Sequence, residues 1–316
     1  MRRWTALLAS VLVAAAAAPA SAHTAAGHMR PAAEAANHLP ADFASLTDSE
    51  WTDWRIGGIG GGAPRTSHTP VVFVHGNNTD AATWYPVISQ LKAEFGYSSG
   101  DLWALSYNGV GCTNDGGLLT RNNGPYAQDR ARSIGCVVTG NGQNVADLAA
   151  FVAGVRRYTG SEKVMLVGHS LGVTVARRTM FEVPEVREAV AGFVGIAGSN
   201  HGTSFCPPGS ETTVESCNEI AAGTEWLREM NQPDEAPGPT RWMTVYDGTG
   251  VGDPAFAGPT YAQSPRLEGA ANCEYPGFYH NDLRVDPRIV RDYAAFLAAV
   301  EAGSAFTCPV PYAPAP

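Results

Sequence analysis

The chain has 316 residues, of which 44% are apolar and 16% charged. That is enough apolar material for one large domain with a deep core, and too much for a disordered chain. Its formal net charge is −9, with 30 acidic against 21 basic residues and lysine only at Lys92 and Lys163; with no basic run to track a phosphate backbone, nucleic acid is excluded as a partner.

Residues 1–22 (MRRWTALLASVLVAAAAAPASA) hold Arg2 and Arg3, an apolar stretch over 6–18, and the small-residue site Ala20-Ser21-Ala22. This is the pattern of a secretory signal peptide cut near Ala22. The apolar run is shorter than the ~20 residues that span a bilayer, so no stable membrane insertion is expected. Losing the two arginines leaves 19 basic against 30 acidic residues, or −11 on a secreted, soluble mature chain.

Residues 23–69 read as an N-terminal arm, Ala/His/Pro-rich at first, then holding Trp51 and Trp54, then Gly-rich over 57–62. Gly58-Ile59-Gly60 followed by Ala63 loosely fits a dinucleotide fingerprint. No strand precedes it and no helix follows at once, so it reads as a flexible linker. A spacer, a pro-segment and an edge strand all remain open for the arm.

From residue 70 to 316 the pattern is that of one catalytic domain. A buried-strand run at 70–75 (PVVFVH) ends at Gly76, and Asp80 caps a helix with Trp84, Val87, Ile88, Leu91 and Phe95 at helical spacing. A second strand follows at 102–107. A helix over 144–158 puts Val145, Leu148, Phe151, Val152 and Val155 on one face. A third strand at 163–167 runs into Gly168 and a helix through Met180. Further strands are expected at 192–197 and 242–246, and Asp286-Pro287 opens a last helix. Strands alternating with helices imply a mostly parallel central sheet with helices on both faces. Long connections at 108–142 and 198–240 interrupt the alternation. The second holds a short amphipathic helix at 218–230, read either as a lid or as a helix packed on the core.

Six cysteines, Cys112, Cys136, Cys206, Cys217, Cys273 and Cys308, follow the leader. An even number in an exported chain reads as disulfides, and six allow about 15 pairings. Pairing of sequence neighbours (Cys112–Cys136, Cys206–Cys217, Cys273–Cys308) is preferred, since it staples two long loops and the C-terminal tail. No CxxC spacing or paired histidine supports a metal site.

Gly168-His169-Ser170-Leu171-Gly172 fits G-x-S-x-G between a strand and a helix. A tight strand-to-helix turn lifts the Ser170 hydroxyl above the sheet, requires small flanking residues, and frees the backbone N–H of Leu171 for an oxyanion. Serine is a poor nucleophile without a base. In this triad order the acid and then the histidine follow the serine, leaving His201 and His280. His201 comes too early to leave room for an acid and reads as a loop residue hydrogen-bonded near the cleft. His280 lies just ahead of the last helix. Asp247 and Asp253 compete for the acid. Asp253 ends a glycine-rich loop able to fold back toward the histidine and is preferred, with Asp247 capping the turn. The turn His75-Gly76-Asn77-Asn78 offers the N–H of Asn77 as second oxyanion donor.

At these residues the chain resembles the α/β-hydrolases, and more narrowly the secreted bacterial lipases of the small, class 2 type. The resemblance rests on Val71-Val72-Phe73-Val74-His75-Gly76, on the Ser170 pentapeptide, and on Gly277-Phe278-Tyr279-His280, and it spans roughly residues 70–300. It implies the α/β-hydrolase fold and ester hydrolysis through an acyl-enzyme, with Ser170 as nucleophile, His280 as base and then acid, and Asp253 as its orienter. No cofactor and no metal are implied, and the partner is a lipid or ester substrate. Exported polyhydroxyalkanoate depolymerases are similar in the same motifs and form the alternative. A catalytically inactive, hydrolase-like binding protein is the third reading.

Overall fold

β3 (Val71–Val74), β4 (Leu102–Ser106) and β5 (Val164–His169) are buried along their whole length, as strands covered on both faces must be. The structure, a computed structural model, describes residues 39–40, 43, 46–47, 55–62, 68–77, 79, 81–106, 141–209 and 215–314. The expected leader (residues 1–22), Trp51, Trp54, Asn78, Asp80 and the expected Cys112–Cys136 bridge lie outside these residues. With β1 (Leu46–Thr47), β2 (Arg55–Gly60), β6 (Val190–Ile196), β7 (Arg241–Tyr246) and β8 (Ala271–Glu274), the described strands form one sheet in the order β1-β2-β4-β3-β5-β6-β7-β8. From β4 to β8 every pairing is parallel, whereas β2 runs antiparallel to β1 and β4.

Successive strand residues point to opposite faces, and each face has its own core. Val71, Phe73, Met165 and Val167 pack with Val87 and Leu91 of α1 (Tyr85–Glu94) and with Ile289, Tyr293 and Phe296 of α9 (Pro287–Glu301). Val72, Val74, Val164 and Leu166 face the other way. They meet Leu148 and Phe151 of α2 (Gly142–Thr159), Val173 of α3 (Leu171–Glu182) and Val186 of α4 (Pro184–Ala189). Each such burial contributes about 1.5–3 kcal/mol. The α9 start follows the sequence closely, since the Asp286 side chain accepts from Arg288 N at 2.9 Å with Pro287 in the first turn.

Three expectations need correction. The Gly-rich run is no linker: Arg55–Gly60 is β2, paired with β4. A Cβ on Gly58 would lie 2.5 Å from the Ala104 carbonyl oxygen, so the glycine that makes the run look featureless is what lets the strands approach. The helix after β3 starts at Tyr85, behind a 3₁₀ turn over Ala81–Trp84. The single helix at 218–230 is two, α5 (Glu215–Ile220) and α6 (Glu225–Met230). Between them Gly223 takes φ 82°, and the Thr224 hydroxyl accepts from Leu227 N to start α6 afresh.

Leu227 and Met230 of α6 are buried. Buried Arg177 of α3 anchors the segment further, donating to Asn200 Oδ1, Met230 O, Asn231 Oδ1 and Glu235 O at 2.9–3.2 Å. Burial pushes its pKa down to about 10, so the guanidinium remains charged at neutral pH. Of the two readings of this segment, the packed helix matches these contacts. Among the described residues, no helix is long and apolar enough to cross a membrane. The short helices α7 (Gly258–Tyr261) and α8 (Asp282–Val285) complete the elements used below.

Candidate active site

Ser170 sits between the last residue of β5 and the first of α3, at φ 54° and ψ −127°. Positive φ in a residue with a side chain is strained, and surrounding structure must hold it there. Ser170 N donates to Ile196 O of β6 at 2.8 Å, and its own carbonyl accepts from Val173 N at 3.0 Å. A Cβ on Gly172 would stand 2.3 Å from the carbonyl oxygens of both Val74 and His75. No larger residue fits there, which is the steric reason for the motif's spacing. A Cβ on Gly76 would lie 2.9 Å from Ser170 Cβ, so the turn that carries Asn77 abuts the serine directly.

The loop after β7 carries two carboxylates with different partners. Asp253 is 1% exposed. Its Oδ2 and Oδ1 lie 2.8 and 3.0 Å from His280 Nδ1, and a carboxylate accepts, so Nδ1 donates. Oδ1 also accepts from Ala255 N at 2.9 Å. Asp247 instead gathers its own loop: it accepts from the Thr249 hydroxyl at 2.7 and 2.8 Å, from Gly250 N at 3.0 Å, from Gly252 N at 3.3 Å, and from Gly277 N. The last of these ties the loop after β7 to the one that bears His280.

His169, next to Ser170, makes a contact the sequence did not reveal. Its Nε2 lies 3.1 Å from the His280 carbonyl oxygen, and the two rings are 4.8 Å apart. Burial first, then the neighbouring charges of His280 and Arg284, hold its pKa well below the usual imidazole range. A neutral ring facing a carbonyl must carry its proton on Nε2. The elbow and the His280 loop are thus tied through the residue between them.

His75 Nδ1 donates to Gly76 O at 2.7 Å, and Thr79 Oγ1 donates to the same oxygen at 3.1 Å, so this turn is pinned beside Ser170. His201 is held by Ser264 O at 2.9 Å and Glu235 Oε1 at 2.7 Å. Cys206–Cys217 and Cys273–Cys308 are disulfides, with Cα separations of 5.3 and 5.2 Å. Among the described residues no group of His, Cys, Asp and Glu could hold a metal ion. His75 follows β3, Ser170 follows β5, and Asp253 and His280 lie on the loops after β7 and β8, so these four stand at the C-terminal ends of parallel strands, where open α/β sheets place their sites.

A family model described as lipase (class 2) matches residues 125–247. No curated protein matches the chain. Among solved structures, Aspergillus fumigatus lipase B is similar at 16% identity and TM-score 0.53, over 86% of this chain and 58% of that one. Bacillus licheniformis lipase BlEst2 in its propeptide form gives 16% identity and TM-score 0.55, over 80% of this chain and 54% of that one. Its mature form gives 14% and 0.51, over 75% of this chain and 95% of that one. The chain therefore spans little more than half of the first two proteins, and at these identities the likeness shows the fold. The chain has the α/β-hydrolase fold, and the family model described as lipase (class 2) matches its segment 125–247.

Proposed function

We propose that the protein is a secreted serine carboxylester hydrolase of the lipase or esterase type, working through Ser170, His280 and Asp253. The observation that carries this reading is the contact of both Asp253 oxygens with His280 Nδ1, on a loop bonded to the Ser170 elbow. In this reading Ser170 Oγ attacks the ester carbonyl while His280 takes its proton at Nε2. Asp253 fixes the ring by accepting from Nδ1–H and offsets the charge of the imidazolium. The carbonyl oxygen becomes an oxyanion received by the N–H groups of Leu171 and Asn77. Leu171 opens α3, so its N–H belongs to the first-turn donors a helix leaves unpaired, and the helix dipole adds to the attraction. His280 returns the proton to the departing alcohol, leaving the acyl group on Ser170. A water deprotonated by His280 then attacks the acyl group, the bond to Ser170 Oγ breaks, and His280 returns the proton to that oxygen as the acid leaves.

Residues 1–22 supply export, and the two disulfides suit an oxidising compartment. On the loops bordering His280, Phe205, Val251 and Tyr279 are exposed. Side chains of this kind around a site suit a water-insoluble ester. They suit a polyhydroxyalkanoate surface equally well, which keeps a depolymerase as the second reading. Acid release by pH-stat from a short-chain triglyceride emulsion and from amorphous polyhydroxybutyrate granules separates the two, with Ser170→Ala as blank. Faster release from the triglyceride supports the lipase, and faster release from the granules supports the depolymerase. Release that survives in Ser170→Ala, or none from either substrate, overturns the proposal.

A further inference from the structure

Arg284 is the fourth residue after His280, in α8, and is 3% exposed. Its Nη1 donates to both the main-chain and the side-chain oxygen of Thr83, and its guanidinium carbon lies 5.5 Å from the Trp84 ring. Its Nε is buried without a hydrogen-bond partner, and among the described residues no carboxylate pairs with it. A buried cation lacking a counter-charge is costly. Burial pushes its pKa down to about 10, so the charge persists at neutral pH. A fold gains little stability from keeping such a group, which directs attention to what it touches.

Arg284 joins two parts of the site that are far apart in sequence. Thr83 and Trp84 form the end of the 3₁₀ turn that follows the His75-Gly76-Asn77 segment after β3. That turn is itself anchored by Ala81 N donating to Ser106 Oγ of β4 at 3.0 Å. On the other side, the Arg284 carbonyl accepts from the Tyr293 hydroxyl of α9 at 3.4 Å. The charge is also close enough to disfavour protonation of His169, the residue bonded to the His280 carbonyl.

We propose that Arg284 is a positioning residue, which locks the loop bearing His280 to the segment bearing Asn77 and keeps a positive charge behind the centre where the oxyanion forms. The inference rests on Ser170 and His280 doing the chemistry. A positive charge fixed there stabilises an anionic tetrahedral adduct more than a neutral ester, so its loss falls on kcat and leaves KM little changed.

The test compares Arg284→Met, Arg284→Lys and Thr83→Val with the wild type. It measures kcat and KM on a soluble p-nitrophenyl ester, inhibition by an alkylboronic acid, and the melting temperature. The boronic acid serves because its serine adduct is tetrahedral and anionic. Arg284→Met is expected to lower kcat on the order of 100-fold, the scale of a misplaced catalytic group, and to weaken boronic acid binding in step with kcat/KM. Lys keeps the charge without the fork and recovers part of the loss. Thr83→Val removes one acceptor and gives a smaller loss in the same direction. An Arg284→Met protein that melts lower but keeps kcat and boronic acid affinity overturns the proposal, because the residue is then only structural. If Arg284→Met does not fold, an unchanged kcat in Thr83→Val overturns it instead. Hydrolysis that persists in Ser170→Ala overturns the triad and this inference together, whereas an inactive Ser170→Ala beside an unimpaired Arg284→Met removes the inference alone.

Discussion

His169 donates from Nε2 to the main-chain carbonyl of His280 at 3.1 Å, across 111 residues of sequence. The second residue of the G-x-S-x-G turn therefore fixes the backbone of the proposed base, and Asp253 fixes its ring. Two independent holds on one histidine leave little freedom for its Nε2. His169→Gln can reproduce the donation through its amide, while His169→Leu fills similar space and cannot. We expect His169→Leu to lower kcat on the order of 10- to 100-fold, with His169→Gln within a few-fold of wild type. Steady-state kinetics normalised by fluorophosphonate titration of Ser170 checks this. Equal losses in the two variants would refute a hydrogen-bonding role.

The same burial makes stability depend on pH. Burial holds the pKa of His169 in the folded protein well below the ordinary imidazole value of about 6.5. Above pH 6.5 neither the folded nor the unfolded chain protonates it, and its contribution to stability is fully present. Below 6.5 the unfolded chain takes up a proton that the folded site refuses. Stability then falls by about 1.4 kcal/mol per pH unit from this one group. Urea midpoints at about pH 7.5 and about pH 5.5 should fall further apart for the wild type than for His169→Gln, which has nothing to titrate. Parallel lines for the two proteins would show that His169 is protonated freely in the fold.

Local rules make the elbow and the central strands legible in the sequence. Val71–Val74 reads as a strand because the run is short, rich in β-branched residues and bounded by Pro70 and Gly76, as a strand covered on both faces would be. The Ser170 turn is readable because its spacing is steric: Gly172 meets two carbonyl oxygens at 2.3 Å. What escapes the sequence is of two kinds. β2 hides because its glycines carry no pattern, and β8 because Ala271-Asn272-Cys273-Glu274 buries only Cys273 and so shows no alternation. The ties from His169 to His280 and from Arg284 to Thr83 join residues 111 and 201 positions apart, and no local rule reports on such pairs.

Asp253 and Asp247 differ in what each touches, so their asparagine variants should fail differently. Asp253→Asn keeps the shape but removes the charge that accepts from His280 Nδ1–H and favours the wrong ring tautomer. A loss on the order of 10³- to 10⁴-fold in kcat is expected, with the melting temperature little changed. Asp247 accepts from Thr249, Gly250, Gly252 and Gly277, all of them donors. An asparagine amide turned toward these groups meets donor with donor, so Asp247→Asn should lower stability by about 1–3 kcal/mol and activity less than Asp253→Asn does. Kinetics and thermal melts on both variants decide. A larger kcat loss in Asp247→Asn would move the acid to that position.

The disulfides should contribute unequally. Cys273–Cys308 closes a loop with sequence separation 35, and Cys206–Cys217 one with separation 11. Loop-closure entropy alone makes the first worth about 4 kcal/mol and the second about 3 kcal/mol. The longer bridge also has packing downstream to organise. It fixes the tail whose Tyr312 donates to Asp292 Oδ2 at 2.7 Å and packs edge-on to Phe278, with ring centroids 6.1 Å apart. Phe278 lies two residues before His280, so loosening the tail loosens the loop that holds the proposed base. Cys273→Ser/Cys308→Ser should therefore lower both the denaturation midpoint and kcat, whereas Cys206→Ser/Cys217→Ser should lower the midpoint less. Urea denaturation of the two double variants, with kinetics at a temperature where both are folded, gives the comparison. A kcat unchanged by loss of the longer bridge would show that Phe278 and His280 are held without the tail.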